Sequence, residues 1–512
     1  MTDTLSALFG AHPGDAPAIG APGRPWLTYA GLAEQTETVR TALAASGVTA
    51  GDRVAIVLPN GPEMAAAFAT VAQCATTAPL NPAYRKDEFV FYLEDLKAKA
   101  IILAEGDAGP ASLAADELGL RVLRLTFEED APAGTFALHA DKASEAVVPT
   151  PVGADDIALI LHTSGTTSRP KIVPLLQSNV AASAQNIARS LALTPTDRCL
   201  NVMPLFHIHG LVAAVSASLC AGASVWCAPG FDALRFFGWL DDAQPSWYTA
   251  VPTMHQAILQ RAKRNAEILE RTELRFLRSS SASLPPQVMT ALAETFRAPV
   301  IEGYGMTEAA HQMASNPLPP RAQKPGAVGV EAGPLVRIAH ETENQLLSLS
   351  DIGEVVISGP NVTPGYENND AANTKSFFEV DGQRWFRTGD QGSFDAEGYL
   401  SLTGRLKEII NRGGEKVSPL EVDEVLMDHP AIQQVVTFAL PHPKLGEEVA
   451  AAVVLTDGAS AEEKEIRAFA SERLADFKVP RKVVILDEIP KGATGKMQRI
   501  GLAEKLGLVE TA

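Results

Sequence analysis

The sequence has few cysteines, with four in 512 residues. Cys74, Cys199, Cys220 and Cys227 lie far apart, and no two of them form a CxxC pair. This low count excludes a disulfide framework. We therefore predict reduced thiols that are buried as small apolar side chains.

Positive charge is also scarce. The chain carries 43 lysines and arginines against 61 aspartates and glutamates, which gives a formal net charge of −18. A protein this acidic repels phosphate backbones, so nucleic acid is excluded as the main partner. An anionic ligand would need local positive charge from a few lysines, arginines and backbone N–H groups.

Long apolar runs are missing as well. The most apolar stretch, Leu211–Trp226, is shorter than a membrane span and contains serine and glycine. The N-terminus lacks the basic and apolar regions of a signal peptide, and Val509–Ala512 is not a peroxisomal tripeptide. We expect a cytoplasmic protein without a membrane span.

The composition is that of a compact globular chain, with 46% hydrophobic and 20% charged residues, and its length predicts more than one domain. Short apolar segments alternate with alanine-rich stretches, which predicts an α/β fold with parallel sheets covered on both faces. The predicted strands are Arg53–Leu58, Ala100–Leu103, Ala158–Leu161, Val225–Ala228, Trp247–Ala250 and Leu277–Ser279, with a helix at Met64–Thr76.

From about Gln345 the pattern changes to short segments between glycine and aspartate turns, which predicts antiparallel strands or a small barrel. A mixed region follows, where Ser418 and Pro419 predict the start of a helix over Leu420–Met427. We place a domain boundary between 1–404 and 405–512. The predicted strands in this half are Gly353–Ser358, Trp385–Thr388, Tyr399–Leu402, Val435–Phe438, Val449–Leu455 and Val483–Leu486.

A segment rich in hydroxyl groups follows the predicted strand Ala158–Leu161. It runs from Thr163 to Lys171 and offers backbone N–H groups, hydroxyls and one ammonium group to phosphate oxygens. The chain contains no GxxxxGK[ST] sequence, so this is not a Walker loop. The alternative is a polar turn between two elements.

Further along the chain, Glu302–Glu308 combines glycines with groups suited to a nucleotide. The glycines allow close approach of the backbone, and Tyr304 offers a flat face for a base. Thr307 can donate to a phosphate, and Glu308 can hold Mg²⁺. The alternative is an ordinary turn with an exposed carboxylate.

Three more polar residues complete the pattern. Asp390 can accept hydrogen bonds from both hydroxyls of a ribose, and Arg405 can contact ribose or phosphate. Lys496 lies between glycines near the C-terminus. Each could instead be a solvated surface group.

Together and in this order, these segments resemble the adenylate-forming superfamily of acyl-CoA synthetases, luciferases and peptide-synthetase adenylation domains. Ser168 and Ile172 depart from the usual pattern, since glycine is common at both positions. The resemblance implies a large N-terminal domain of two mostly parallel sheets with flanking helices and a small β-barrel-like subdomain. It also implies a mobile α+β C-terminal domain.

The resemblance also implies roles for individual residues, with ATP, CoA and Mg²⁺ as ligands. Catalysis is assigned to Lys171, Thr307, Glu308 and Lys496, and Mg²⁺ binding to Glu308 and Thr166. Lys407 would be the hinge, and Gly413 and Gly414 would line the path of CoA. The implied ATP contacts are Thr163, Ser164, Gly165, Thr166, Thr167, Ser281, Ala282, Ser283, Glu302, Gly303, Tyr304, Asp390 and Arg405.

The acid is expected to be small and polar. By resemblance, His207, Ser281 and His311 face the acyl pocket, and a second carboxylate would need such donors. The run Met306–Pro319 resembles the oxalate–CoA ligases of plants and yeast, as do Ser279–Leu284 and Arg412–Asp423. We therefore expect conversion of oxalate, ATP and CoA to oxalyl-CoA, AMP and diphosphate.

Three alternatives stay open at this point. The chain could be a ligase for another small or medium-chain acid, or an adenylation module that loads a separate carrier protein. It could also be a nucleotide sensor without catalytic activity. The absence of a carrier domain after Lys496 disfavours loading within the same chain. The set of Lys171, Thr307, Glu308 and Lys496 disfavours the sensor.

Overall fold

The computed structural model describes residues 3–142, 145–163, 170–490 and 497–509. The first half of the chain forms strands and helices in alternation. Its strands are β1 (Pro17–Gly20), β2 (Leu27–Thr28), β3 (Arg53–Val57), β4 (Thr76–Pro79), β5 (Ala100–Ala104), β6 (Arg121–Thr126), β7 (Ala137–Ala140), β8 (Ile157–Thr163), β9 (Lys171–Leu176), β10 (Arg198–Asn201), β11 (Ser224–Cys227), β12 (Trp247–Ala250), β13 (Phe276–Ser280), β14 (Val300–Met306), β15 (His311–Ser315) and β16 (Val330–Glu331).

Antiparallel pairing dominates the second half. Its strands are β17 (Leu335–Ala339), β18 (Gly353–Ser358), β19 (Phe377–Val380), β20 (Gln383–Phe394), β21 (Leu400–Arg405), β22 (Ile410–Arg412), β23 (Glu415–Val417), β24 (Ile432–His442), β25 (Gly446–Leu455) and β26 (Lys482–Ile485).

The α-helices cover the sheets. They are α1 (Leu5–Phe9), α2 (Tyr29–Ala45), α3 (Pro62–Val71), α4 (Lys86–Leu96), α5 (Pro110–Leu118), α6 (Gln177–Ser190), α7 (Ala217–Cys220), α8 (Phe236–Ala243), α9 (Pro252–Ala262), α10 (Ala266–Arg271), α11 (Pro286–Phe296), α12 (Asp370–Ser376), α13 (Pro419–Met427), α14 (Glu463–Ser471) and α15 (Leu502–Lys505). A π-helix spans His209–Ser216, and 3₁₀ turns span Lys263–Asn265 and Thr307–Ala309.

Four sheets result. A nine-stranded sheet has the order β16-β15-β14-β13-β12-β10-β11-β1-β2, and a seven-stranded sheet the order β7-β6-β5-β3-β4-β8-β9. Both are mostly parallel in their centres. A five-stranded antiparallel sheet contains β17–β21, and a C-terminal sheet contains β22–β26. The predicted α/β fold class is confirmed.

The core lies where the two large sheets meet. Helix α3 is buried along its length except at Glu63, and it packs against β3 and β4 of one sheet and β1 and β11 of the other. A helix that is apolar on all sides belongs in such a position between layers. Three of the cysteines are buried and Cys220 is partly buried, all four as free thiols.

Most predicted elements are present, and several differ from the predictions at their ends. The helix predicted over Met64–Thr76 begins at Pro62 and ends at Val71, because Thr76 already belongs to β4. The helix predicted after Pro419 is α13, and the Ser418 hydroxyl caps it by accepting from the Glu421 N–H at 3.2 Å. No helix within the described residues is long and apolar enough to span a membrane.

Candidate active site

A lysine, a tyrosine and a glutamate meet where the two large sheets join. The Lys171 ammonium, at the start of β9, lies 4.1 Å from the centre of the Tyr366 ring. The Tyr366 hydroxyl donates to Oε1 of Glu308 at 2.8 Å. Burial lowers the pKa of Lys171, an effect that Glu308 opposes and Lys407 reinforces. This cluster therefore combines a positive charge and a buried carboxylate next to each other.

The hydroxyl-rich segment begins at the same place. Thr163, the last residue of β8, is paired with Lys171 at the start of β9. The connection between these two strands therefore starts and ends beside the Lys171 cluster. The predicted phosphate contacts Ser164, Gly165, Thr166 and Thr167 lie outside the described residues, as does Lys496.

The predicted adenine and ribose contacts also lie together. The Tyr304 hydroxyl donates to Oδ2 of Asp390 at 2.5 Å. Asp390 on β20 is paired with Arg405 on β21, and Nε of Arg405 lies 3.2 Å from Oδ1 of Asp390. The tyrosine and aspartate are buried, whereas about half of the arginine side chain is exposed at 53%. The arginine is thus available to a ligand from the solvent side.

Two of the three predicted acid-binding residues, Ser281 and His311, lie beside His209, a histidine with no predicted role. Nδ1 of His209 lies 3.0 Å from Oγ of Ser281, and the His209 ring packs 5.2 Å from the His311 ring. Both Ser281 and His311 have positive φ angles, 75° and 102°. His207 lies two residues earlier, partly exposed, with its ring 6.2 Å from that of Phe206.

The remaining predicted nucleotide contacts lie on β14 and in the segments that follow β13 and β14. Thr307 forms part of the 3₁₀ turn with Glu308, and Ala282 and Ser283 are exposed after β13. Glu302 is buried and its Oε1 accepts from the Leu284 N–H at 2.9 Å. Burial raises the pKa of this carboxyl to about 8. Glu302 therefore holds the loop after β13 instead of presenting a charge at the surface.

The predicted hinge and CoA residues lie at the start of the C-terminal sheet. Lys407 is exposed and follows β21. Gly413 and Gly414 form the turn between β22 and β23 with φ angles of 62° and 100°, a conformation that favours glycine. Lys416, on the same hairpin, binds Glu341 in the region of the five-stranded sheet with an Nζ–Oε2 distance of 2.8 Å.

Tyr366, His209 and Arg278 were missed as functional candidates. Tyr366 lies in a stretch without a recognised motif, and the predicted pocket role was given to His207, two residues before His209. Arg278 lies at the centre of the predicted strand Leu277–Ser279, which is fully buried as part of β13, and a charged residue is unusual there. That oddity was the one signal in the sequence that could have marked it.

Comparison with known proteins shows which family the chain belongs to. The model of the family "AMP-binding enzyme" matches residues 8–367, and that of the "AMP-binding enzyme C-terminal domain" matches residues 421–496. The chain therefore belongs to the AMP-binding enzyme family.

Individual relatives are similar over nearly the whole chain. An oxalate–CoA ligase of Arabidopsis thaliana is 45% identical over 97% of this chain and 98% of its own length. An oxalate–CoA ligase of Saccharomyces cerevisiae is 42% identical over 88% of this chain and 86% of its own length. The crystal structure of ATP-bound MatB from Rhodopseudomonas palustris superposes with a TM-score of 0.87 at 30% identity, covering 99% of both chains.

Proposed function

We propose that this enzyme is an AMP-forming oxalate–CoA ligase. The observation that carries the proposal is the full-length similarity to two oxalate–CoA ligases, at 45% and 42% identity. The polar cluster of Ser281, His209 and His311 supports a small acid with hydrogen-bonding groups at both ends. The reaction is oxalate plus ATP plus CoA to oxalyl-CoA, AMP and diphosphate.

In the first step, one carboxylate oxygen of oxalate attacks the α-phosphorus of ATP. A P–O bond forms to the acid, the bond between the α- and β-phosphates breaks, and diphosphate leaves with its electron pair. Tyr304, Asp390 and Arg405 bind the nucleoside, while Lys171 and Lys496 neutralise phosphate charge as it develops. Thr307 donates a hydrogen bond to the α-phosphate.

A magnesium ion fits the residues present. Mg²⁺ prefers oxygen ligands and is held by one or two carboxylates together with substrate phosphates. Glu308 supplies such a carboxylate, fixed by the Tyr366 hydroxyl and close enough to Lys171 to affect its pKa. The described residues contain no group of three or more His, Cys, Asp or Glu side chains that could hold a metal ion. When bound, it neutralises charge on the phosphates, and Glu308 with Thr166 would hold it.

In the second step, the CoA thiolate attacks the carbonyl carbon of the mixed anhydride. A C–S bond forms, the C–O bond to AMP breaks, and AMP leaves. We propose that residues 405–512 act as a separate unit that turns about Lys407 between the two steps. The hairpin with Gly413 and Gly414 then borders the path of the thiol.

An acid panel tests the proposal. The enzyme is incubated with ATP, Mg²⁺, CoA and one acid each from oxalate, malonate, acetate, hexanoate and cinnamate, and AMP and the thioester are quantified by mass spectrometry. We expect oxalyl-CoA and AMP in equal amounts, with the highest kcat/KM for oxalate. CoA-dependent AMP from hexanoate or cinnamate with none from oxalate would contradict it.

A further inference from the structure

Arg278 is a fully buried cation in the middle of β13. Its side chain is 0% exposed, and its hydrogen-bond partners among the described residues, His209 and Gln312, are not carboxylates. One terminal nitrogen lies 3.4 Å from Nε2 of His209, and the other donates to Oε1 of Gln312 at 3.3 Å. A guanidinium in such a place is normally paired with a carboxylate.

No such carboxylate forms an ion pair with Arg278 within the described ranges. Burial lowers the pKa of Arg278 to about 10, which still leaves it charged at neutral pH. An uncompensated buried charge is destabilising, and a methionine of similar length would fill the same space without that cost. The fold therefore keeps an unfavourable group where packing alone does not require it.

The contacts of His209 with Arg278 and Ser281 favour one assignment of donor and acceptor to its two ring nitrogens. A guanidinium can only donate, so its contact with Nε2 of His209 favours the tautomer in which this nitrogen is unprotonated, and the Thr249 hydroxyl, 2.6 Å away, can donate to the same nitrogen. In this tautomer the ring proton lies on Nδ1 and is donated to Oγ of Ser281 at 3.0 Å. The hydrogen of the Ser281 hydroxyl is left to point to a different acceptor.

The network of Arg278, His209 and Ser281 lies between the residues predicted to bind the acid and those predicted to bind the nucleotide. His209 is the first residue of the π-helix, a type of helix that is frequent at functional sites. A Cβ on Gly303 would lie 2.7 Å from the Arg278 guanidinium, so this group rests against the strand that carries Tyr304. His311 borders the same histidine.

We propose that Arg278 is a positioning residue which, through His209, holds the Ser281 hydroxyl as a hydrogen-bond donor to the carboxylate of oxalate that does not react. The proposal rests on the proposed function and on the assignment of Ser281 to the acid pocket. It adds two residues, Arg278 and His209, that determine how the pocket accepts a second negative charge.

Four variants test the network. Arg278→Met removes the donor, and Arg278→Lys restores one donor and the charge. His209→Asn keeps an amide N–H near the position of Nδ1, whereas His209→Gln moves it towards that of Nε2. For each variant and the wild type, KM for oxalate, KM for ATP, kcat and Tm are measured.

We expect Arg278→Met to raise KM for oxalate about tenfold or more, because the serine hydroxyl loses its fixed orientation. KM for ATP should stay within about twofold, and Tm should equal or exceed that of the wild type. Arg278→Lys should recover part of the affinity for oxalate. His209→Asn should keep a lower KM for oxalate than His209→Gln.

An unchanged KM for oxalate in Arg278→Met would overturn the proposal, and so would equal values for the Asn and Gln variants. A parallel loss of Tm and of affinity for both substrates would mean that Arg278 only supports the fold. A wild-type enzyme that uses another acid but not oxalate would overturn the proposed function. The same variants are then assayed with that acid, which tests the role of Arg278 separately from the proposed function. An unchanged KM for that acid in Arg278→Met would overturn the role of Arg278.

Discussion

At the residue scale, Tyr366 connects two groups of opposite charge. Its ring faces the Lys171 ammonium, and its hydroxyl binds the Glu308 carboxylate. A cation over an aromatic ring and a hydrogen bond to a carboxylate each contribute about 0.5–3 kcal/mol. One side chain therefore fixes the spacing between the phosphate lysine and the metal-binding glutamate that we propose.

Tyr366→Phe separates these two contributions. The variant keeps the ring under Lys171 but leaves Glu308 without its hydroxyl donor, so we expect kcat to fall about tenfold with little change in KM for oxalate. Steady-state kinetics at saturating ATP measure the effect. Tyr399→Phe, which removes a buried hydroxyl bonded to the Ala322 carbonyl, is the matched control and should keep kcat. Equal losses in the two variants would refute the role of Tyr366.

The buried carboxyl of Glu302 predicts a pH dependence of stability. Its pKa is raised to about 8 in the fold against an ordinary value of 4.5, so the native state holds a proton that the unfolded chain releases. Its contribution to stability is therefore full below pH 4.5 and is lost as the pH rises towards 8. Glu302→Gln stays neutral and should raise Tm at pH 8 by about 2 °C or more.

Calorimetry at pH 6 and pH 8 measures this effect. The difference in Tm between the two pH values should be smaller in Glu302→Gln than in the wild type, while the exposed Glu105→Gln should leave it unchanged. A Glu302→Gln variant with the same pH dependence as the wild type would show that this carboxyl is ionised in the fold.

The sequence predicted residues that lie in local motifs and missed those that act across the fold. Tyr304, Asp390 and Arg405 were grouped from their chemistry, and the structure brings them together. Arg278, His209 and Tyr366 acquire partners only when segments far apart in sequence meet. No local pattern reports such contacts.

At the element scale, the β14–β15 hairpin carries much of the site. Tyr304 lies on its first strand, Glu308 in its turn and His311 on its second strand. The strands approach so closely at Gly305 that a Cβ there would lie 1.9 Å from the His311 carbonyl oxygen. Glycine at this position therefore allows the close approach of the two strands that carry the proposed nucleotide and acid contacts.

Gly305→Ala should push the two strands apart. We expect a Tm lower by several degrees and at least about tenfold lower kcat, since overpacking costs about 1–3 kcal/mol or more. Gly238→Ala in α8 is the control, because nothing lies within 4 Å of a Cβ there. It should be neutral or stabilising by about 0.4–1 kcal/mol. Wild-type kinetics in Gly305→Ala would contradict the close contact.

The ends of helices were predicted best where the sequence contains a capping residue or a proline. Ser418 and Pro419 marked the start of α13 correctly. The run from Met64 to Thr76 is mostly apolar, so neither helical nor strand periodicity shows where α3 ends and β4 begins. The π-helix at His209 was not predictable, because its sequence has the composition of an ordinary buried helix.

At the scale of the whole molecule, an ion pair joins the C-terminal part of the chain to the part that precedes it. Lys416, on the β22–β23 hairpin, binds Glu341, which follows β17 of the five-stranded sheet. Both side chains are partly exposed, so the pair contributes no more than about 1 kcal/mol to stability. Its position beside Gly413 and Gly414 makes it a contact that would break if residues 405–512 turn between the two steps.

Lys416→Ala should therefore leave Tm almost unchanged but alter the two half-reactions unequally. ATP–diphosphate exchange with oxalate reports the first step, and single-turnover release of AMP on addition of CoA reports the second. Lys444→Ala, also exposed in the C-terminal part, is the control and should change neither. Equal changes in both half-reactions would argue against a contact that breaks between them.

The alternation of strands and helices was enough to predict the fold class, but not the arrangement. The order of the nine-stranded sheet places β1 beside β11 and β10 beside β12, pairings that no local sequence feature specifies. The division at residue 404 stays a prediction. In the structure, β21 runs across that point as part of the antiparallel sheet.

The proposed function requires that the enzyme activate oxalate as an oxalyl-adenylate. Oxalate labelled with ¹⁸O at all carboxyl oxygens tests it most directly, in the presence of ATP, Mg²⁺ and CoA. The oxygen that attacks the α-phosphorus stays with AMP when the thiol displaces it, so AMP should gain one ¹⁸O for each oxalyl-CoA formed. Unlabelled AMP, or label in diphosphate or inorganic phosphate, would contradict this mechanism.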